Sequence, residues 1–108
     1  MYQFTNTAPD FWIQIKGENA GQPLRKSIPN ATGIKENQGL LDPDFLFYIV
    51  LYKYQTDAFK PYIKGSVIPY IRLNHIRMVI DSHLLIFFKS QSASQLHKQI
   101  RRAAVLNQ

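Results

Sequence analysis

Three histidines, seven carboxylates and no cysteine are the side chains from which this 108-residue chain would have to build a reaction centre. His75, His83 and His97 form no i,i+4 pair and no HExxH pattern, and no thiolate assists them, so the spacing of a zinc site is missing. They read as ordinary surface or half-buried histidines. Pro43-Asp44 could open a metal-dependent nuclease pattern. That chemistry also needs a carboxylate and a lysine separated by one residue, and no Asp/Glu-x-Lys occurs anywhere. Asp42 and Asp44 are better helix-capping residues. The Gly17 to Gly21 loop lacks the Lys-Ser/Thr that lets a P-loop cradle phosphates, and Ser66, beside Gly65, belongs to no GxSxG elbow. The expectation is therefore a protein that is not an enzyme and needs no metal or other cofactor, with hydrolase activity as a third reading.

The basic side chains are more informative. Residues 1–57 carry five Lys/Arg against six Asp/Glu, whereas residues 58–108 carry eight Lys/Arg against Asp81 alone, so the second half holds a net charge of +7. A concentration of cations on half of a small chain suits an anionic partner, and phosphate steering by nucleic acid is the commonest physical reason. A solvated basic face that keeps the protein soluble is the plainer alternative.

Those cations need a scaffold. Apolar residues make up 45% of the chain and aromatics 13%, and 108 residues suffice to bury about 60 to 70% of the unfolded surface around one core. The absence of cysteine fits a reducing compartment, and the cytoplasm is the expectation. No signal peptide and no membrane span are expected, because the N-terminus has no apolar run and the longest one, at 45–52, stops at Lys53.

Phe11, Ile13 and Ile15 alternate with Trp12, Gln14 and Lys16, the period of a strand with one buried face, and Gly17 ends it. Turn residues and short extended pieces fill the region to about residue 40. Asp42 as N-cap, Pro43 at the first helical position and Asp44 against the helix dipole predict a helix over 43–54, apolar on all sides. "TDAFK" can add a further helical turn before Pro61. Val67, Ile68, Tyr70 and Ile71 favour extended structure, with Pro69 at an edge or bulge. Asn74 could cap a short turn holding His75, Ile76 and Arg77. "MVID" and "LLIFFK" then read as two β segments around a turn at Asp81, Ser82 and His83. From Ser92 or Ser94 onward, Ala93, Leu96, Ile100, Ala103 and Ala104 recur at helical spacing opposite Lys98, Arg101 and Arg102, predicting a basic amphipathic helix. The fold class expected is α+β in a single domain.

The run from Leu40 to Ile80 resembles the target-recognition domain of type I restriction specificity subunits. That family has an "xPxFLYYxL" helix, an aromatic-containing turn, a Gly-Ser/Thr segment with a proline a few residues on, and a short "xxxxIxxI" element. Pro43, Phe45, Leu46, Tyr48, Tyr62, Gly65, Ser66, Pro69, Ile71, Ile76 and Ile80 occupy those places. Upstream, Asp10, Ile13, Ile15, Gly17 and Gly21 are similar in order to the family's strand and glycine-containing loop, so the likeness spans about residues 10–80. The family's proline-rich "PPLxEQ" segment is missing, and the chain has room for one recognition domain where a complete subunit has two. It also has the look of a small uncharacterised bacterial family.

The resemblance implies a loop at Gly65-Ser66 lying near DNA, with Lys64, Arg72 and Arg77 available to phosphates or base edges and Arg25 and Lys26 as secondary contacts. Together with Lys98, Arg101 and Arg102 these form the expected DNA-binding set. The leading expectation is a non-enzymatic protein that binds duplex DNA as a homodimer. The alternative is a protein-interaction module whose aromatic helix and C-terminal helix dock a partner or a second copy.

Overall fold

The computed structural model describes residues 1–89. In chain order it contains β1 (Tyr2–Phe4), β2 (Phe11–Gln14), β3 (Pro23–Leu24), β4 (Ala31–Glu36), α1 (Pro43–Gln55), a 3-10 turn (Lys60–Tyr62) and α2 (Leu73–Lys89). The strands form one antiparallel sheet in the order β1-β4-β2-β3, and the fold is α+β.

Alternation makes β2 a half-buried strand: Phe11 and Ile13 are fully buried while Trp12 and Gln14 are not. Burying each such side chain contributes about 1.5–3 kcal/mol. Tyr2 and Ile34 add to the same core, which α1 covers with Leu46, Phe47, Ile49 and Val50 and α2 with Ile76, Val79, Ile80 and Leu84. Phe11 meets Phe47 edge to face at 5.2 Å between ring centroids.

β1 and β2 flank β4 on opposite sides, and the chain passes between them across β4 itself. Phe4 pairs with Ile34 on one side and Phe11 pairs with Ile34 on the other. The crossing is at Gly33, which is buried, and a Cβ there would collide with the Thr5 carbonyl oxygen and stand 2.6 Å from Pro9 Cβ. Hydrogen bonds fasten the connection: Asn6 Oδ1 accepts from Gly33 N at 3.0 Å, and Asp10 Oδ2 accepts from Glu36 N at 2.8 Å. Gly33 thus lies inside a strand, within the region to about residue 40 where turn residues and short extended pieces were expected.

The expected central helix is present as α1, with Asp42 Oδ1 accepting from Asp44 N at 2.8 Å and Pro43 in the first turn. Two expectations need correction. The β segments expected at "MVID" and "LLIFFK" are one continuous helix, α2, and the turn expected at Asp81, Ser82 and His83 lies in its middle. Ile76, Val79, Ile80 and Leu84 repeat at three and four residues, so a helix buries all four on one face where a strand would split them between two. Ser82 Oγ donates to the Met78 carbonyl one turn back at 2.7 Å, which satisfies a turn-forming residue within the helix. Likewise Asn74 does not cap a short turn. It lies within the first turn of α2, and the Arg72 carbonyl accepts from His75 N and Ile76 N, both at 3.1 Å. The helix expected from Ser92 or Ser94, with Lys98, Arg101 and Arg102, lies outside the described residues.

Candidate nucleic-acid interface

The segment from Lys64 to Arg72 leaves the 3-10 turn and returns to α2 through a closed loop. Lys64 N donates to the Tyr70 carbonyl and Tyr70 N to the Lys64 carbonyl, each at 2.8 Å. Gly65 permits this closure: its φ is +95°, and a side chain there would strike the Ile68 carbonyl oxygen. Two further bonds fix the loop base to the end of β2, from Gly17 N to the Pro69 carbonyl at 2.8 Å and from Ile71 N to the Ile15 carbonyl at 2.9 Å. Where extended strand was expected over Val67 to Ile71, only single bridges from Tyr70 to Lys64 and to Lys16 form.

The loop carries its apolar residues outward. Val67 is 88% exposed and Ile68 62%, while Lys64, Ser66 and Arg72 are exposed around them. Neither Lys64 nor Arg72 forms an ion pair among the described residues, where Arg25 and Asp44 make the one bridge. Beneath the loop, His75 stacks on Tyr62 at 5.1 Å between centroids, and its buried Nδ1 has no hydrogen-bond partner among the described residues.

The other expected contacts are placed elsewhere. Arg77 lies within α2, whereas Arg72 precedes it. The Arg77 guanidinium lies over Tyr2 and Phe4, 5.0 and 4.9 Å from the ring centroids. Arg25 donates to Asp44 Oδ1 at 2.8 Å and lies 3.7 Å from the Phe47 ring centroid, so it braces the start of α1. Lys26 is exposed.

A second feature was not expected from the sequence. β1 and α2 line an open cleft of about 470 Å³, with Met1, Tyr2, Arg77, Met78, Asp81 and Leu85 among its walls. Tyr2 donates its hydroxyl to Asp81 Oδ1 at 2.7 Å. Burial, then the hydrogen bond and the charge of Asp81, push the Tyr2 phenol well above its ordinary range, against a smaller opposing effect of Arg77. A tyrosine at position 2 and an aspartate at 81 give no local signal of a pairing across 79 residues. Among the described residues no three His, Asp or Glu side chains come together as a metal ion would need. No helix among them is long and apolar enough to cross a membrane.

Compared with known proteins, residues 2–108 match the model of DUF6943, a family of unknown function. No curated protein and no solved structure matches the chain.

Proposed function

Given that this chain belongs to the DUF6943 family, we propose that it is a non-enzymatic protein that binds duplex DNA through the loop from Lys64 to Arg72. The observation that carries this reading is a backbone-closed loop with an exposed apolar tip, Val67 and Ile68, between two exposed cations with no ion-pair partner among the described residues. Lys64 and Arg72 would contact phosphates, which set affinity and position. An apolar loop tip between cations suits insertion against base steps from the minor groove, where wedges of this kind bend the duplex. The +7 charge of residues 58–108 and the likeness of residues 10–80 to a restriction target-recognition domain support the same reading.

Fluorescence anisotropy of a mixed-sequence duplex at two salt concentrations tests it. Saturable binding that weakens steeply with salt is expected, and replacing Lys64 and Arg72 by Glu should weaken it about tenfold or more. Replacing Val67 and Ile68 by Ser should lower affinity with little change in salt slope. No binding even at low salt would remove the reading.

A second reading, a protein-interaction module, is favoured by α1, where Tyr48 and Tyr52 remain exposed one turn apart on a helix that buries Leu46, Phe47, Ile49 and Val50 on its other side. An unchanged partner profile after Tyr48→Ser and Tyr52→Ser would count against it.

A further inference from the structure

The two outer edges of the sheet differ. β3 carries Pro23 and is followed by Arg25 and Lys26, a proline and charges of the kind that discourage a further strand. β1, with the sequence Tyr2-Gln3-Phe4, has no such protection, and among the described residues only β4 pairs with it. The ladder settles which backbone groups are left open. Thr5 N donates to the Gly33 carbonyl and Asn37 N donates to the Met1 carbonyl, both at 2.9 Å, so Met1, Gln3 and Thr5 face β4. By the alternation of an antiparallel pair, the N–H and C=O groups of Tyr2 and Phe4 point out of the sheet.

Beside this edge runs the outer side of α2, where Met78, Leu85 and Ile86 are exposed. The cleft between them holds one cationic and one anionic side chain, Arg77 and Asp81, four residues apart on α2. They are spaced for an i,i+4 bridge, yet no ion pair joins them. Asp81 engages the Tyr2 hydroxyl with one carboxylate oxygen, and the Arg77 guanidinium rests on aromatic faces, with no carboxylate partner among the described residues.

We propose that the β1 edge and the adjoining face of α2 form a two-fold interface with a second copy of this chain. The surface complements itself. With the axis at Gln3, Tyr2 of each copy pairs with Phe4 of the other through the four outward backbone groups of each strand, giving a continuous eight-stranded sheet. Antiparallel α2 helices then face one another, packing Met78 and Leu85 together and bringing each Arg77 toward the other copy's Asp81. A patch with one charge of each sign, an unblocked strand edge and an odd-length strand centred on Gln3 suits an isologous contact. The interface is independent of DNA binding by the Lys64 to Arg72 loop.

Light scattering coupled to size exclusion on the full chain, with any tag kept off the N-terminus, gives the first readout, and hydrogen exchange at the Tyr2 and Phe4 amides gives the second. A dimer at tens of micromolar, with both amides protected and their protection lost on dilution to monomer, is expected. Arg77→Asp and Asp81→Arg should each weaken dimerisation about tenfold or more by placing like charges together, and the double exchange should recover most of the loss. The wild-type measurement stands even if a single variant fails to fold. A monomer at all concentrations would overturn the proposal, including one whose Tyr2 and Phe4 amides are protected because residues 90–108 cover them. A dimer with freely exchanging amides would overturn it too, since its contact would lie elsewhere.

Discussion

Gly33 shows how much one residue can carry. Its φ is not positive and no turn requires it, yet the chain between β1 and β2 lies across it, with Pro9 Cβ 2.6 Å from where a Cβ would stand. Gly33→Ala forces that connection to lift off β4 and should cost about 1–3 kcal/mol in urea denaturation. A loss below about 0.5 kcal/mol would mean the crossing yields easily. His83 adds a pH dependence. Its pKa lies below the ordinary histidine value, first because it is partly buried and second because of the charge of Lys53, so the folded state disfavours its protonated form. The unfolded chain then binds the proton more readily, and stability is lost as pH falls below about 6.5 toward the folded-state pKa. His83→Gln should flatten the thermal midpoint against pH in that window, and an NMR titration placing the His83 pKa above about 6.5 would contradict the account.

At the scale of elements, α1 and α2 differ in how their identity is encoded. α1 announces itself through adjacent residues: Asp42 accepts from Asp44 N, and Pro43 is compatible with the first turn. Asp42→Ala should cost about 1 kcal/mol, measured by chemical denaturation. α2 has no such introduction, since its first turn has no acidic residue and β-branched residues interrupt its middle. Ser82 separates the two interpretations of this stretch. Proline at a hairpin turn is tolerable, but Ser82→Pro within α2 removes a backbone donor and should destabilise by about 3 kcal/mol or more. Unchanged stability would restore the two-strand reading.

At the scale of the whole molecule, the charge asymmetry and the loop from Lys64 to Arg72 make a joint prediction. Lys98, Arg101 and Arg102 belong to the same basic half. If the chain binds duplex DNA as proposed, replacing all three by Gln in the full chain should flatten the dependence of log affinity on log salt by about 0.9 for each phosphate no longer neutralised. If the slope is unchanged while Lys64 and Arg72 variants alter it, DNA binding belongs to the loop alone.

The amino-acid sequence by itself determined what depends on neighbouring residues: the alternation that makes β2, the capped aromatic helix α1, and the crowding of cations into residues 58–108. These follow from local sterics, hydrogen bonding and counting. Tertiary structure decided what depends on distant partners. It paired β1 with β4 through a crossing that only Gly33 accommodates, and it turned residues 73–89 into a helix because the core offered a single face to Ile76, Val79, Ile80 and Leu84. It also divided the expected DNA contacts, holding Arg25 between Asp44 and Phe47, laying Arg77 over Tyr2 and Phe4, and leaving Lys64 and Arg72 exposed beside the loop. A cation's sequence position specifies its charge, but the carboxylates and rings that meet it come from remote parts of the chain, and only folding selects them.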